Sequence, residues 1–426
     1  MQISNKKNNK AILAAGIGNF IEVYDYSHFI YLSSVLISAF FPHSDRSKAL
    51  FFIFGIYAIE RAIRPFMGIL MGRYVDIHGR SKMLNFSVIG MASISLLICF
   101  IPTNQSNSLL APMLFLIIRL FQGIFISSEF VTCMVYITEV SPQINKGFYG
   151  SIAFLSGMCG AILSSIVALL ITYCLSSKDA IHWGWKIPYL LGFFMLLLSY
   201  KLRKNLSESP EFFGHKDNKI SIAQVVISQF KNITFCSVLT LLSATVYSIF
   251  LVYMPTHLNV FKQLNLSTSI KLNTFNMCFY AILLPIMGKL SDITGRKTII
   301  SFICFIIAFF SYPIYYLLNN VKNIISLEIT LSIMIMFIAA LNASLPTFLC
   351  ELFHSSVRTT SMAIGFGISL SFAGGIAPLV CLYLPMLTNN INSPAIYIMI
   401  LALITIYVLF TNAITKNLNL HQTQGI

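Results

Sequence analysis

An all-α membrane protein of twelve transmembrane helices, built as two pseudo-symmetric six-helix halves, is the fold that three features of the sequence predict. Hydrophobic residues make up 57% of the 426-residue chain and charged residues only 10%, against about 25% charged in a soluble domain. That apolar stock fills about twelve spans of the roughly 20 residues that a bilayer crossing needs. The third feature is a repeat: GRYVDIHGRSK at 72–82 returns as GKLSDITGRK at 288–297. Gly72 and Gly288, Asp76 and Asp292, Gly79 and Gly295, and Arg80 and Arg296 each stand 216 positions apart, close to half the chain. Chance seldom keeps four spacings at once, so the chain reads as a duplication. Each copy is a short basic loop between two spans, and such loops favour the cytoplasmic side.

Taken in order, a basic tail at 1–10 leads into a first span at 11–41 that carries Gly18, Asn19, Glu22, Tyr24 and Asp25. Glu22 and Asp25, at i and i+3, share a helix face. The second span, 50–71, holds Glu60, Arg61 and Arg64. Glu60 and Arg64 are spaced i, i+4 with the acid first, the favourable order for a self-contained pair. After the third span, 84–101, the fourth at 108–138 contains Arg119, Gln122 and Glu129. Ten residues set Arg119 and Glu129 about 80° apart around the helix and roughly 15 Å apart along it, which predicts one polar stripe. The turn EVSPQINKG, 139–147, precedes a fifth span whose Gly157, Gly160 and Ser164 form a seam of small residues for close helix contact. HWGWKIP at 182–188 brings two tryptophans to the membrane interface before the sixth span.

The longest polar stretch, 201–231, is expected to be a cytoplasmic linker between a first half at 1–200 and a second at 232–415, with 416–426 as a cytoplasmic tail. Spans of the second half lie near 232–258, 270–287, 298–318, 326–350, 359–384 and 394–415. Glu351 precedes Arg358 by seven positions, as Glu139 precedes Lys146.

A net charge of +14 would suggest nucleic acid in a soluble protein. Here the span assignment puts eighteen Lys and Arg residues on one side, Lys201, Arg203 and Lys204 among them, against seven on the other. That bias accounts for the charge and predicts both termini in the cytoplasm. The nine cysteines are scattered with no CxxC pair and read as packing residues, not as a metal site or disulfide framework. No cleavable signal is expected, because the first apolar run continues into a full helix.

Seven ionisable groups, Glu22, Asp25, Glu60, Arg61, Arg64, Arg119 and Glu129, fall within the first, second and fourth spans. Exposing all of them to lipid costs on the order of 20 kcal/mol, so they must face inward. A first half that lines a polar cavity, with a second half of apolar and hydroxyl-bearing walls, fits a solute pathway near the midplane. Neighbouring acids on the first span repel when both are ionised, which makes Glu22 and Asp25 candidates for carrying a proton. His28, on the adjacent turn, is a candidate wall residue. No P-loop, HExxH or GxSxG is present, which argues against an enzyme.

The stretches GNFIEVYDY at 18–26, IRPFMGILMGRYVDIHGRSK at 63–82, RLFQGIFISSEF at 119–130, EVSPQINKGFYGS at 139–151, WGWKIP at 183–188, ESPEF at 208–212, YMPTHL at 253–258, LSDITGRK at 290–297 and FAGGIAP at 372–378 carry a resemblance over nearly the whole chain. The sequence resembles the major facilitator superfamily and, within it, the metabolite:proton symporter family of proline/betaine, shikimate and alpha-ketoglutarate carriers. The resemblance implies the major facilitator fold and a secondary active symporter of a bacterial inner membrane, working by alternating access. It would move a zwitterion such as proline or betaine, or an organic acid, with the proton gradient as driving force and no cofactor. The solute/proton pathway implied is Glu22, Asp25, Arg64, Arg119 and Glu129, with Asn19 and Tyr24 beside them. The cytoplasmic gate implied is Gly72, Asp76, Gly79, Arg80, Glu139 and Lys146 in the first half and Gly288, Asp292, Gly295, Arg296, Glu351 and Arg358 in the second.

There are departures. Val23 replaces the family's tryptophan, Ser127 and Ser128 replace a Gly-Gly pair, and Glu60 and Arg61 are additional charges. The long coiled coil of the osmosensing proline/betaine carrier is missing after the last span, so osmosensing by that device is not expected. A receptor or sensor on a transporter fold, and a uniporter or exchanger of a dicarboxylate, stay open as alternatives. The expected partners are a small solute, protons and the lipid bilayer.

Overall fold

The computed structural model describes residues 2–41, 46–103, 110–213 and 220–411. The expected tail at 416–426 and part of the expected linker lie outside these residues. Among the described residues the chain forms twelve principal helical runs, with short helical turns at Gln143–Asn145, Ser177–His182, Gly184–Lys186 and Pro210–Phe213 between them. The first is Gln2–Tyr31, continued past Leu32 as Ser33–Phe40, and the second and third are Arg46–His78 and Arg80–Cys99. The fourth is Leu110–Ile126 with Glu129–Val140, the fifth Lys146–Cys174 and the sixth Ile187–Arg203. The seventh runs from Ile222–Tyr247 through a π-helical turn, Ser248–Tyr253, into Met254–Val260. Leu266–Thr294, Arg296–Asn320, Ile324–Leu352, Arg358–Thr388 and Ser393–Thr411 complete the set.

Nine of these runs are long and apolar enough to cross a membrane by length and composition, among the described residues. The other three are the first and second, which carry Glu22, Asp25, Glu60, Arg61 and Arg64, and the sixth, with 17 residues. The twelve-helix membrane architecture follows, with Phe and Leu side chains outside and polar groups inside.

The repeated loops have the same cause of turning. Gly79 and Gly295, at equivalent places in the two copies, have φ of 105° and 90°. A residue with a Cβ is strained there, so glycine ends one helix and lets the next begin one residue later. In the seventh span Pro255 has no N–H to give to the carbonyl four residues back, Leu251. The helix widens into the π-turn at that place, and the Asn273 side chain donates to the Leu251 carbonyl instead, at 3.2 Å.

The chain divides into two compact units, Met1–Val140 with Ser156–Asp217, and Ser141–Leu155 with Asn218–Ile426. The fifth helix therefore starts in the second unit and continues in the first. Within the first unit the small-residue seam does what its composition predicts. A Cβ on Gly160 would overlap the Phe20 carbonyl oxygen and stand 3.0 Å from the Tyr24 amide nitrogen, so the first and fifth helices touch backbone to backbone. Asn19 at the same crossing donates to Ser156 Oγ at 2.7 Å.

Gly160→Ala should therefore push these two helices apart and lower stability by about 1–3 kcal/mol. Gly55→Ala should not, because nothing lies within 4 Å of a Cβ there. Thermal melting of the two variants in detergent, each against the parent, checks this.

Candidate functional site

Apart from the repeated loop, the described residues of the first unit hold two separate clusters of buried charge. In the first, Glu60 is fully buried and uses both carboxylate oxygens. Oε1 accepts from Arg64 Nε at 3.0 Å and Nη2 at 2.7 Å, and Oε2 accepts from Arg119 Nη2 at 3.0 Å. Arg119 Nη1 donates to Gln122 Oε1 at 2.5 Å, and Gln122 Nε2 donates to Asp25 Oδ2 at 2.9 Å. An unbroken hydrogen-bonded run thus links Asp25 to Arg64 across the first, fourth and second helices. The Tyr26 ring lies between the two guanidiniums, 4.4 Å from that of Arg64 and 4.8 Å from that of Arg119. Such stacking suits the weakly hydrated face of arginine. Half-buried Arg61 adds its field to that around Glu60.

The second cluster is built on Arg203, the last residue of the sixth helix, which is fully buried. Its Nη1 donates to Glu129 Oε1 at 2.7 Å and stands 3.6 Å from Glu22 Oε1. Nη1 also donates to the Leu84 carbonyl at 3.0 Å, and Nη2 to the Ala15 carbonyl at 2.9 Å. Ser87 lies between the two carboxylates, 2.5 Å from Glu129 Oε2 and 3.2 Å from Glu22 Oε1. Gly18 makes the cluster possible, since a Cβ there would overlap the Arg203 guanidinium.

Several expectations change. Glu22 and Asp25 share a helix but not a partner: the acid that shares a cation with Glu22 is Glu129, and Asp25 belongs to the other cluster. The fourth helix does not present one continuous stripe, because it breaks between Ile126 and Glu129, where the Ser128 carbonyl accepts from both Thr132 N and Thr132 Oγ1. Arg119 and Glu129 end in different clusters as a result. The Glu60–Arg64 pair is not self-contained, since Arg119 completes it. Arg203, read from the sequence as a loop charge, is a buried partner of two predicted site residues that sequence reasoning missed. Tyr24 is buried and meets the His28 ring edge-on, centroids 4.2 Å apart.

The repeated loops carry the same three groups. In the first unit Arg80 is 3.9 Å from Asp76, one turn earlier, and 3.0 Å from Glu139. Glu139 also accepts from Ser209 Oγ at 2.5 Å, and Glu208 caps the third helix by accepting from the Arg80 and Ser81 amides at 2.9 and 3.1 Å. In the second unit Arg296 is 3.1 Å from Asp292, again one turn earlier, and 2.9 Å from Glu351. Asp292 further accepts from the amides of Gly147 and Phe148, at 2.7 and 2.9 Å, at the start of the fifth helix. Gly147 and Gly288 meet where neither could carry a Cβ without overlap. Lys146 is buried, and its carbonyl accepts from Thr347 at 2.8 Å; Arg358 Nε donates to the Phe353 carbonyl at 3.1 Å.

The second unit also has a neutral polar row that the sequence did not single out. Ser243 donates to Asn342 Oδ1, and Asn342 Nδ2 donates to Tyr280 OH at 2.8 Å. One turn before Tyr280, Asn276 donates to Glu328 at 2.9 Å.

The sequence profile of the Major Facilitator Superfamily matches residues 17–378. A putative proline/betaine transporter of Staphylococcus haemolyticus is 32% identical over 422 residues, covering 96% of this chain and 89% of that protein. The proline/betaine transporter of Escherichia coli K12 is 26% identical over 418 residues, covering 94% and 83%. Among solved structures, the proton:xylose symporter XylE bound to 6-bromo-6-deoxy-D-glucose superposes with a TM-score of 0.76 at 17% identity, covering 95% of each chain.

Removing the cation from between two buried carboxylates is expected to be severe. Arg203→Met should cost about 3–5 kcal/mol of stability, and adding Glu129→Gln in the same chain should recover part of that loss. A double-mutant cycle read by thermal melting checks the coupling; additive effects would mean the contact carries no energy.

Proposed function

The chain belongs to the Major Facilitator Superfamily and is a multi-pass membrane transporter, not an enzyme; from that premise we propose that it carries a small zwitterionic metabolite, such as proline or a betaine, in symport with a proton. The observation that carries this reading is the run from Asp25 through Gln122, Arg119 and Glu60 to Arg64. Two guanidiniums in it face two carboxylates. A proton on Asp25 leaves one guanidinium without a carboxylate of its own, and the carboxylate end of the solute pairs with it, the cationic end lying outside this pairing. Loading the proton and loading the solute then favour each other, because an unbalanced charge in a low-dielectric site is costly. Mutual enhancement of this kind is what coupling requires. Arg64, with its side chain 17% exposed, is the guanidinium a solute reaches; Arg119, fully enclosed, links it to Asp25.

Glu60 sets the size of the charge deficit. Without it two guanidiniums await partners, a match for a dicarboxylate; with it the site matches a monocarboxylate. The relatives named as proline/betaine transporters support the same choice.

The two Asp–Arg–Glu clusters serve as the cytoplasmic latches in this reading, with Gly72, Lys146, Gly288 and Arg358 around them. The bias of basic residues towards these loops supports their placement, and that of both termini, in the cytoplasm of a bacterial inner membrane. The proton gradient is the driving force, with no cofactor, and the solute site opens to one side at a time.

In proteoliposomes, Asp25→Asn should abolish solute accumulation driven by a pH gradient while solute counterflow persists; undiminished accumulation would remove Asp25 from the coupling. Glu60→Gln should weaken zwitterion uptake about tenfold, equivalent to about 1.4 kcal/mol, and make a dicarboxylate an effective competitor. Competition by alpha-ketoglutarate against labelled proline or betaine measures this.

A further inference from the structure

On the side of Asp25 away from Arg203, the first and sixth helices face each other across a row of polar groups that the charge run does not use. Asp25 and His28, one turn apart on the first helix, are both fully buried, as are Tyr189 in the first turn of the sixth, Trp185 in the short turn Gly184–Lys186 before it, and Ser95 on the third. His28 Nε2, Tyr189 OH and Trp185 Nε1 are buried and without a hydrogen-bond partner, and Asp25 Oδ1 and Ser95 Oγ have no partner but each other.

These atoms belong to one neighbourhood. Asp25 Oδ1 occupies the place where a Cβ on Gly192 would stand, and Tyr189 lies one turn before Gly192 on the same helix face. The His28 and Tyr189 rings meet edge-on with centroids 5.7 Å apart, and the Tyr189 and Trp185 rings with centroids 6.3 Å apart. Ser95 stands beside Asp25 from the third helix. His28 is held from behind, its Nδ1 2.8 Å from Ser164 Oγ, which leaves Nε2 directed at the row. Lys186, with its ammonium 5.4 Å from the Trp185 ring, follows at the helix start. Arg119 on the fourth helix is the cation whose field reaches both Asp25 and His28, and Gln122 is the fourth-helix group bonded to Asp25.

Three unsatisfied polar atoms cost about 1–3 kcal/mol each, a cost that native proteins avoid with buried water. The row runs from a carboxylate to a helix end, so that waters bound to its members stand in a line rather than at one hydration site.

We propose that Asp25, Ser95, His28, Tyr189 and Trp185 hold a file of ordered waters that carries protons between Asp25 and the non-cytoplasmic face, apart from the opening at Arg64 that the solute uses. Each transfer is a proton hop. The water next to Asp25 loses an O–H bond as the carboxylate oxygen gains one, and that water takes a proton from the next in line, so no charge is left inside. Neutral His28 and the Tyr189 hydroxyl orient the waters and need not themselves ionise. The role in symport rests on the function proposed above; the presence of water does not.

Hydroxyl-radical footprinting of the purified wild-type protein in ¹⁸O-water tests the file without any transport assay. Tyr189 and Trp185 should be labelled, while Phe115 and Phe40, equally buried but apolar, should not. Labelling of Tyr189 and Trp185 no greater than that of the two phenylalanines would overturn the proposal. In proteoliposomes Tyr189→Phe, which removes only the hydroxyl, should slow pH-driven uptake about tenfold and leave counterflow unchanged. Equal slowing of both, or of neither, would overturn the proton role. A wild-type protein that accumulates nothing under a pH gradient yet labels at Tyr189 and Trp185 would sink the symport reading and keep the water file.

Discussion

Charge that enters a membrane helix has to be neutralised by another helix, and the first unit is arranged around that constraint. Arg119 and Arg203 are both fully enclosed, and each binds carboxylates from helices other than its own. Because an uncompensated buried ion is so costly, each guanidinium fixes the relative placement of the helices that supply its partners. Arg119 ties the second helix to the fourth and, through Gln122, to the first. Arg203 ties the sixth to the fourth and first. Hydrophobic contact alone provides little of this specificity in lipid, where the tails are as apolar as the side chains.

The two clusters are not alike. The hydrogen-bonded run through Glu60 has two cations and two acids, with Arg61 beside it, and is partly exposed at Arg64. The Arg203 cluster has one cation for two acids and is closed, with Ser87 and the carbonyls of Ala14, Ala15 and Leu84 as its further hydrogen-bond partners. A closed cluster with every contact made between helices is suited to holding the bundle together. An accessible one, whose balance depends on one carboxylate at the end of a hydrogen-bonded run, is suited to responding to what binds.

Much of this was legible in the sequence, and the rest was hidden for a physical reason. The twelve-helix plan follows from apolar run length, and the duplicated loop from four kept spacings; the structure gives both loop glycines positive φ and both arginines the same two acidic partners. Glu60 and Arg64 could be paired because i, i+4 spacing is local. Arg203 could not be found that way. It closes an apolar run and is followed by polar residues, which is how a loop charge looks, and its partners Glu22 and Glu129 are far away in the chain. Gly18 was the one trace, a missing side chain on the first helix, but a vacancy does not say which distant group fills it. Glu22 and Asp25 were separated by the same kind of long-range choice. The neutral row of Ser243, Asn342 and Tyr280 left no charge signal at all.

The duplicated loops also show how far a repeat constrains chemistry. Both copies keep the Asp, the Arg one turn later and a Glu from the fourth helix of the same half, but their surroundings differ. Arg80 and Glu139 have side chains only 1% exposed, and Glu139 is further held by Ser209. Arg296 and Glu351 are 16% and 30% exposed, so water can replace part of what their separation removes. An enclosed pair loses several kcal/mol when broken, whereas a partly hydrated one loses about 1 kcal/mol or less. In the second copy the more enclosed contact is Asp292 with the first amides of the fifth helix, and that helix begins in one unit and ends in the other. A contact between a carboxylate and a helix start is made and released as a whole, because the amides are aligned by the helix itself. Duplication has thus preserved the parts of the loop while allowing one copy to be built for permanence and the other for exchange with water.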